Sequence, residues 1–355
     1  MKRRDFLKGA AVAAPAAAAL ATPAIAQGKI EWKMPTSFPA KAPGVGTNAT
    51  TFAQRVADMS DGQLTIKVFS GGELVPPFGV EDAVQQGTAE IGHSTPYYAA
   101  SKNTALHFFS AVPFGMTAVE TTGWLRHGGG QELWDEIYAA RGLVPFYSGN
   151  SGVQAAGWFK KPVTKLEDLS GLNMRIAGLG GEAMRKVGVN AVLLPPPEIF
   201  SAFQSGAIDA AEWVGPLLDQ AFGLQKVAKY CYVPAFHEPS AALEVVVNKA
   251  AWDGLPKHLQ AIIRNAADAA NTETLAQFEY FNALAMKQLQ DAGVEFAAFP
   301  DDVVAALKKA SEEVMAENAA ANPEFKKVMD SYNATLDMAR AYGKAVKAPV
   351  FSQRT

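Results

Sequence analysis

Apolar and polar residues alternate along many short segments of the chain, and this spacing predicts β-strands. In residues 29–34, for example, Ile30, Trp32 and Met34 alternate with charged residues. Comparable runs predict further strands at residues 64–69, 91–95, 143–147, 153–159, 173–176, 191–194, 209–214, 241–248 and 294–299. Segments with helical spacing separate most of these runs, so the chain is predicted to fold as an α/β protein.

One helical pattern is much longer than the others and runs almost unbroken from Pro256 to Gln290. At 1.5 Å per residue it would measure roughly 50 Å, so we expect it to span two domains. Residues 29–150 and 240–270 are predicted to form the first domain. Residues 151–239 and 271–355, with the C-terminal helices, are predicted to form the second. Strands that cross between the domains would serve as a hinge around a ligand.

Composition narrows the class of protein. The chain has 355 residues, of which 49% are hydrophobic and 19% are charged, as in a well-packed globular protein. Its net charge of −3 argues against nucleic-acid binding, which needs basic surfaces. Cys231 is the single cysteine, so no disulfide can form within the chain. The five histidines show no metal-binding spacing such as H-E-x-x-H.

The first 26 residues are predicted to be an export signal. Arg3 and Arg4, followed by Phe6, Leu7 and Lys8, fit a twin-arginine pattern, and an alanine-rich stretch follows. Residues 24–26 read Ala-Ile-Ala, which fits a cleavage site. A Sec signal with two chance arginines is the alternative. We therefore expect a periplasmic protein that begins at residue 27 and is exported by the twin-arginine route.

The most informative stretch covers residues 166–239, where short strands and helices alternate. Arg175 lies in one short strand, and the glycines from Gly178 to Gly181 interrupt the pattern after it. Glu212 and Trp213 lie in a later strand that begins at Asp209. Polar residues at the ends of strands in an open α/β sheet mark the usual place of a ligand crevice.

Several sequence motifs in this part of the chain resemble the solute-binding subunits of TRAP (tripartite ATP-independent periplasmic) transporters. They are LEDLSGLNMRIAG at residues 166–178, the PPEIFSAFQSGAIDA run at 196–210, and VVNKAAWDGLP at 246–256. The motifs occur in the family's order and span about the central third of the chain. The resemblance implies a two-domain periplasmic binding protein fold with hinge strands, and a function in transport without catalysis.

The sequence around Glu212 and Trp213, with Gln154 upstream, is most similar to sequences of the family branch that binds 2-oxo or 2-hydroxy monocarboxylates with a metal ion. The resemblance implies that Arg175 binds the carboxylate, for which a guanidinium offers a rigid pair of donors. It places the cation on oxygen atoms of Glu212, Trp213, Gln154 and Glu238. The expected ligand-binding residues are Arg175, Gln154, Asn150, Trp213 and Tyr98.

Charge counting indicates why a cation is needed. If Arg175, Glu212 and Glu238 all face a closed cleft, their charges sum to −1, and a monocarboxylate such as pyruvate brings the sum to −2. Buried charge of this kind is costly unless it is paired. A sodium ion would leave −1 and a calcium ion would leave zero. Sodium is favoured by the resemblance and calcium by the charge count.

A rival interpretation starts from Gly178 to Ala183, which approaches the G-x-G-x-x-A fingerprint of a dinucleotide-dependent oxidoreductase. Three features oppose it: the preceding strand contains Arg175, the following helix is short, and Glu198 follows three prolines instead of a strand. A hydrolase is also disfavoured, because the chain lacks a G-x-S-x-G motif. We therefore expect a binding protein and no enzyme activity.

A homodimer is expected as well. The C-terminal helices have apolar residues on more than one side, including Val303, Val304, Leu307, Val314 and Met315, and the tail at 348–351 is apolar. Such a surface needs a cover. The related branch contains helix-swapped dimers, and the resemblance also implies TRAP membrane subunits as partners. Which keto or hydroxy acid binds does not follow from the sequence.

Overall fold

The computed structural model describes residues 28–354, so the predicted export signal lies outside the described residues. Strands within that range are β1 (Ile30–Pro35), β2 (Leu64–Phe69), β3 (Ile91–Ser94), β4 (Leu143–Asn150), β5 (Gly157–Phe159), β6 (Asn173–Arg175), β7 (Asn190–Val192), β8 (Ala210–Ala211), β9 (Tyr230–Tyr232), β10 (Ala242–Asn248) and β11 (Glu295–Ala297). The α-helices are α1 (Val45–Met59), α2 (Val80–Gln85), α3 (Ala118–His127), α4 (Gly130–Ala139), α5 (Gly178–Lys186), α6 (Ile199–Ser205), α7 (Pro216–Phe222), α8 (Lys249–Asp253), α9 (Lys257–Asp291), α10 (Asp301–Ala321), α11 (Pro323–Tyr342) and α12 (Ala348–Gln353). The predicted α/β class is confirmed.

The first group of strands is built around β10. β10 pairs antiparallel with β3 on one side and with β4 on the other, and β1 pairs in parallel with β2. A parallel bridge between Thr36 and His93 joins the β1 end of one sheet to the other. β10 is buried along nearly its whole length, which explains its almost continuous apolar sequence.

The second group is a six-stranded sheet in the order β11-β9-β5-β8-β6-β7. β6 pairs in parallel with both β7 and β8, while β5 is antiparallel to β8 and β9. Met174 lies opposite Ala210 and Arg175 opposite Ala211. This register brings the end of β6 next to the residues that follow β8.

α9 contacts both groups of strands. Asn48 on α1 donates a side-chain hydrogen bond to Thr274 at 2.7 Å, and the Leu217 N–H on α7 donates to Asn282 at 2.9 Å. α9 packs extensively on α1 and β4 at one end and on α7 at the other. The predicted long helix that spans both halves of the molecule is therefore confirmed. None of the described helices is both long and apolar enough to cross a lipid bilayer.

The C-terminal helices pack on both halves of the molecule. α10 lies against α5, whereas α11 packs against α3, α4 and the 3₁₀ turns of Thr104–Phe109. Phe325 and Tyr332 on α11 enter the same core cluster as Phe108 and Trp124. The predicted division, with residues 271–355 in the second domain, stays a prediction, and α11 shares a core with the first predicted domain.

Several predicted element boundaries were wrong. The strand predicted at 143–147 continues to Asn150, which still pairs with Ala242 on β10. The strand predicted at 153–159 is reduced to β5. The strand predicted at 209–214 ends after Ala211, so Glu212 and Trp213 leave the sheet. Gly178 to Gly181 form the first turn of α5 and do not interrupt the fold.

Much of the apolar surface that suggested a dimer is covered by the chain itself. Val303, Leu307 and Val314 are buried in the core, and Met315 packs against it. Val304 on α10 is exposed, and further exposed apolar side chains lie on the last helical segments, at Met338, Tyr342, Val346, Val350 and Phe351.

Candidate ligand and cation site

Arg175 and Glu212 meet because of the parallel pairing of β6 and β8. Arg175 lies opposite Ala211, so Glu212 leaves the sheet directly beside the arginine. The Glu212 N–H donates to the Arg175 carbonyl at 2.8 Å. The sheet register thus places two residues that are 37 positions apart in the sequence next to each other.

The Arg175 guanidinium uses only part of its donor capacity within the protein. Nη1 donates to the Glu212 backbone carbonyl at 2.5 Å and to Glu212 Oε2 at 2.7 Å, and Nε donates to the Leu194 carbonyl at 3.5 Å. Nη2 is buried and has no hydrogen-bond partner among the described residues. Burial alone would lower the pKa of Arg175, but the charge of Glu212 and the neighbouring groups raise it. The guanidinium thus stays charged and has one donor nitrogen left for an anion.

Two carboxylates lie close together beside the arginine. Their ligand atoms lie within 4.8 Å of each other, and both Glu212 Oε1 and Glu238 Oε2 are buried without a hydrogen-bond partner in residues 28–354. Burial, reinforced by the negative charge of Glu212, raises the pKa of Glu238 well above its ordinary value. A bound cation would reverse this effect, and oxygen atoms of this kind are the ligands that hard cations take. The residues therefore fit a cation site.

The cleft is closed over these groups. The exposed fraction is 1% for Arg175 and Glu212, 2% for Glu238 and 5% for Gln154. Charged side chains are rarely buried this deeply unless they are paired or bind an ion. A surface groove of about 310 Å³ between α10 and α11 is a different feature, since none of these four residues lines it.

Gln154 is held next to Glu238 by the backbone. Its N–H donates to the Glu238 carbonyl at 3.2 Å, and its side-chain Nε2 donates to Ser151 Oγ at 2.9 Å. With the amide nitrogen held in this way, Oε1 is buried and unpartnered within the described range. The geometry thus supports Gln154 as a neutral oxygen donor.

Asn150 lies at the end of β4. Its Oδ1 accepts a hydrogen bond from the Gly152 N–H at 2.8 Å, which shapes the turn after β4. Its Nδ2 is buried and has no hydrogen-bond partner among the described residues. In the described part of the chain, no hydrogen bond joins its side chain to Arg175 or to the acids. The role of Asn150 in ligand binding therefore stays a prediction.

Aromatic rings form the apolar side of the site. The Arg175 guanidinium lies 5.3 Å from the centre of the Trp213 ring, an arrangement that favours a cation–π contact. Phe38 lies 6.3 Å from Trp213 and 6.1 Å from Tyr98, ring centre to ring centre. Tyr98 also lies beside Arg175, and its neighbour Tyr97 beside Glu238. Tyr98 and Trp213 therefore both lie beside Arg175, and Phe38 adds an aromatic wall that the sequence did not reveal.

His237 was missed by the sequence analysis. Its Nε2 lies 3.7 Å from Glu212 Oε1, and its ring is fully buried. The spacing of the histidines gave no hint of a metal ligand, because His237 joins the acids through folding. The one available signal was its place directly before Glu238.

The glycines that suggested a dinucleotide fingerprint have a local packing role. A Cβ added to Gly180 would lie 2.4 Å from His237 Cβ, so no side chain fits there. Gly178, with a φ of 63°, adopts a conformation that favours glycine, next to Tyr97 and His107. These glycines let the start of α5 approach the site closely, and this explains their presence without a nucleotide.

Asp219 on α7 holds the segment that contains Glu212 and Trp213. Its Oδ1 accepts from the N–H groups of Val214 and Gly215 at 3.0 and 3.1 Å, and Oδ2 accepts from Trp158 Nε1 at 2.7 Å. Burial raises the pKa of this carboxyl to about 7. Asp219 thus takes up the N–H of Val214, at the end of the strand predicted at 209–214, and holds this part of the segment outside the sheet.

A closed cleft that encloses an arginine, two acids and unpartnered oxygen atoms is typical of a solute-binding protein with an α/β fold. The family model described as bacterial extracellular solute-binding protein, family 7 (DctP), matches residues 37–322, and the chain belongs to this family. The resemblance to TRAP solute-binding proteins is confirmed, and the expectation of a binding protein without catalysis is confirmed with it.

One curated relative is similar over almost the whole chain. A monocarboxylate 2-oxoacid-binding periplasmic protein of Nostoc sp. is 41% identical over 341 residues, which is 94% of this chain and 93% of the relative.

Two solved structures are similar to this one. A TRAP transporter solute-binding protein of Bordetella bronchiseptica, a mixed-occupancy dimer with calcium and picolinate, has a TM-score of 0.90 and 35% identity, covering 92% of this chain and 97% of that one. A TRAP solute-binding protein of Pseudoalteromonas atlantica with bound sodium and pyruvate has a TM-score of 0.88 and 36% identity, covering 91% and 99%.

Proposed function

We infer that the protein is the periplasmic solute-binding subunit of a TRAP transporter that captures a 2-oxo monocarboxylate, such as pyruvate or a longer α-keto acid. The observation that carries this inference is the free Nη2 of Arg175, buried beside the unpaired Glu212 Oε1 and Glu238 Oε2. A hydrogen-bond donor for an anion and a set of oxygen ligands for a cation thus lie in one closed space. One related structure holds calcium and picolinate, and another holds sodium and pyruvate.

A 2-oxo acid fits this pair of subsites by its own geometry. Its keto oxygen and one carboxylate oxygen lie next to each other and can chelate a single cation. The second carboxylate oxygen then remains for Arg175 Nη2. Picolinate offers the same arrangement, with a ring nitrogen in place of the keto oxygen. The rest of the ligand would meet Phe38, Tyr98 and Trp213, so short aliphatic tails suit the site.

The bridging cation would be held by Glu212 and Glu238, with Gln154 Oε1 and the Trp213 carbonyl as further oxygen donors. Sodium and calcium each occur in the related structures. Calcium balances the charges of Arg175, Glu212, Glu238 and a monocarboxylate completely, whereas sodium leaves −1. After the cleft opens, membrane subunits of the transporter would receive the acid. Export by the twin-arginine route would deliver the protein to the periplasm.

A thermal-shift panel tests the choice of ligand. In calcium-containing buffer, we expect pyruvate and short aliphatic 2-oxo acids to raise the Tm, because a ligand at 100 times its Kd stabilises by about 2.7 kcal/mol. NAD and NADP should leave the Tm unchanged. Stabilisation by a nicotinamide dinucleotide but by no 2-oxo acid would instead support the oxidoreductase interpretation.

Domain closure and dimer formation can be measured together by small-angle scattering at micromolar protein concentration. The exposed apolar residues of the last helical segments, with Phe351 at 62% exposure, support a homodimer. For the dimer, we expect a molecular mass twice that of one chain. For domain closure, we expect the radius of gyration to decrease when pyruvate and calcium are added, because binding closes the cleft. A monomer mass would contradict the dimer, and an unchanged radius would contradict the hinge.

A further inference from the structure

The loop after β1, which contains Thr36 and Phe38, is joined to His93 on β3 by buried hydrogen bonds. Thr36 Oγ1 lies 2.8 Å from His93 Nδ1, and the Phe38 N–H donates to the same Thr36 oxygen at 3.2 Å. On the other side of the ring, His93 Nε2 lies 2.8 Å from Asn48 Oδ1 on α1. All four residues are buried. A chain of side chains that water does not reach thus connects Phe38 to α1.

The direction of these hydrogen bonds follows from one backbone carbonyl. Asn48 Nδ2 lies 2.7 Å from the Ser148 carbonyl, which can only accept, so Asn48 Oδ1 must be the atom that accepts from His93. The His93 proton is therefore on Nε2, and Nδ1 accepts from the Thr36 hydroxyl. The Thr36 oxygen in turn accepts from the Phe38 N–H. Burial lowers the pKa of His93 to about 3, so the ring stays neutral and keeps this tautomer.

His93 also supports the Phe38 side chain directly. The two rings meet edge to face, with their centres 5.6 Å apart. The Phe38 carbonyl accepts from the Gly71 N–H at 2.8 Å, so the backbone is held on this side as well. Phe38 is thus fixed through its N–H, its carbonyl and its ring.

The same network reaches the long helix. Asn48 Nδ2 also donates to Thr274 Oγ1 on α9 at 2.7 Å. Both ring nitrogens of His93 and the side-chain oxygen and nitrogen of Asn48 therefore have partners. A buried polar network in which each member is satisfied is rigid and favours a single arrangement. The aromatic wall that Phe38 forms against Trp213 and Tyr98 therefore has a stiff support.

We propose that His93 and Thr36 are positioning residues, which hold Phe38 in place and thereby set the longest ligand tail that the closed cleft accepts. The tail is the part of the ligand beyond the 2-oxo carboxylate, so this proposal rests on the proposed function. His93 and Thr36 act through Phe38. A wall that can shift yields to one more methylene, whereas a fixed wall in a close-packed interior excludes it.

A chain-length series on wild-type mature protein tests the fixed wall. Unbranched 2-oxo acids from pyruvate to 2-oxooctanoate are titrated by calorimetry in calcium-containing buffer. One methylene in a hydrophobic pocket changes affinity by roughly 10–200-fold, so we expect one such drop where the tail first reaches Phe38. Phe38→Leu should move this drop to a longer acid. A wild-type series without a drop, or a drop that Phe38→Leu leaves in place, would overturn the proposal.

The positioning role is tested by a pair of substitutions at one site. Thr36→Val keeps the shape of the side chain but removes the hydroxyl that joins His93 to the Phe38 N–H. We expect the drop to shrink from roughly 10–200-fold to less than about threefold. Thr36→Ser retains the hydroxyl and should retain the drop. Ser37→Ala is the matched control, because it removes a buried hydroxyl of the same loop that pairs with Ser94.

The outcomes separate positioning from general stability and from the proposed function. If Thr36 were needed only for stability, Thr36→Val would lower the Tm and weaken all acids by the same factor, with the drop unchanged. That result would reject the positioning role while leaving the proposed function intact. A wild-type protein that binds no 2-oxo acid with either calcium or sodium would reject the proposed function, and this proposal with it.

Discussion

Replacing Arg175 with methionine is expected to abolish detectable binding of pyruvate and longer 2-oxo acids. Methionine fills much of the same volume but removes the free Nη2 donor and the only positive charge that faces Glu212 and Glu238 in the described site. A charge-assisted hydrogen bond is worth about 1.5–3 kcal/mol. Loss of that bond alone should lower affinity by roughly 10–10²-fold, and loss of the positive charge should lower it further. Isothermal calorimetry with pyruvate in calcium-containing buffer measures this.

Two further variants separate binding from folding. Arg175→Lys keeps the charge but loses the planar guanidinium, which can bond Glu212 and the ligand at the same time, so we expect intermediate affinity. Arg175→Met also leaves Glu212 buried without its partner, which destabilises the fold. The double variant Arg175→Met with Glu212→Gln removes that unpaired charge and should recover part of the lost Tm without recovering binding. Pyruvate affinity within about threefold of the wild type in Arg175→Met would rule out its role as anion ligand.

Removing the cation is the second change with a large expected effect. Pyruvate titrated into metal-stripped protein, in sodium-free buffer with a chelator, should give no measurable heat of binding. The reason is charge: Arg175, Glu212, Glu238 and the ligand would sum to −2 in a closed site, and each unpaired buried charge costs several kcal/mol. Added calcium or sodium should restore binding, and the stronger of the two identifies the preferred ion.

Glu212→Gln tests the same idea from the protein side. The variant keeps the shape of the side chain but loses the charge of Oε1, and Oε2 of Glu212 also pairs with Arg175. We expect pyruvate binding to weaken at least 100-fold and to respond little to calcium. Glu244→Gln is the matched control, because Glu244 is an equally buried acid whose partner is Tyr138. Undiminished affinity in stripped wild-type protein or in Glu212→Gln would show that the cation bridge is wrong.

Local pattern predicted most of the elements, because alternation and helical spacing directly reflect which faces are buried. β2 at Leu64–Phe69 was predicted with its actual bounds, and α9 within one residue. The strand predicted at 209–214 was wrong for a reason that lies elsewhere in the chain. Asp219, on the following helix, takes up the N–H groups of Val214 and Gly215. A side chain that competes with sheet pairing leaves no periodic signal.

The sequence predicted only part of the site, because the remaining residues reach it through tertiary packing that leaves no local pattern. The resemblance identified Arg175 and Glu212, which the structure joins through sheet register. His237 and Phe38 carry no motif of their own, since they reach the site through the packing of α5 and through the loop after β1. The role of Asn150 stays a prediction: its Oδ1 is used within the turn after β4, whereas its Nδ2 is buried without a partner among the described residues.

The continuity of α9 has a mechanical consequence. The hydrogen bond from Asn48 to Thr274 and the hydrogen bond from Leu217 to Asn282 join the two halves of the molecule to this one helix. Those anchors are eight residues apart, roughly 12 Å of helix, so cleft opening must bend that short stretch or pull on its anchors. Bending lengthens backbone hydrogen bonds on the outer side of a helix and is resisted. We therefore expect α9 to resist bending elastically. In the ligand-free protein, this resistance would return the two halves to one preferred opening angle, and it would contribute to the rate of ligand release.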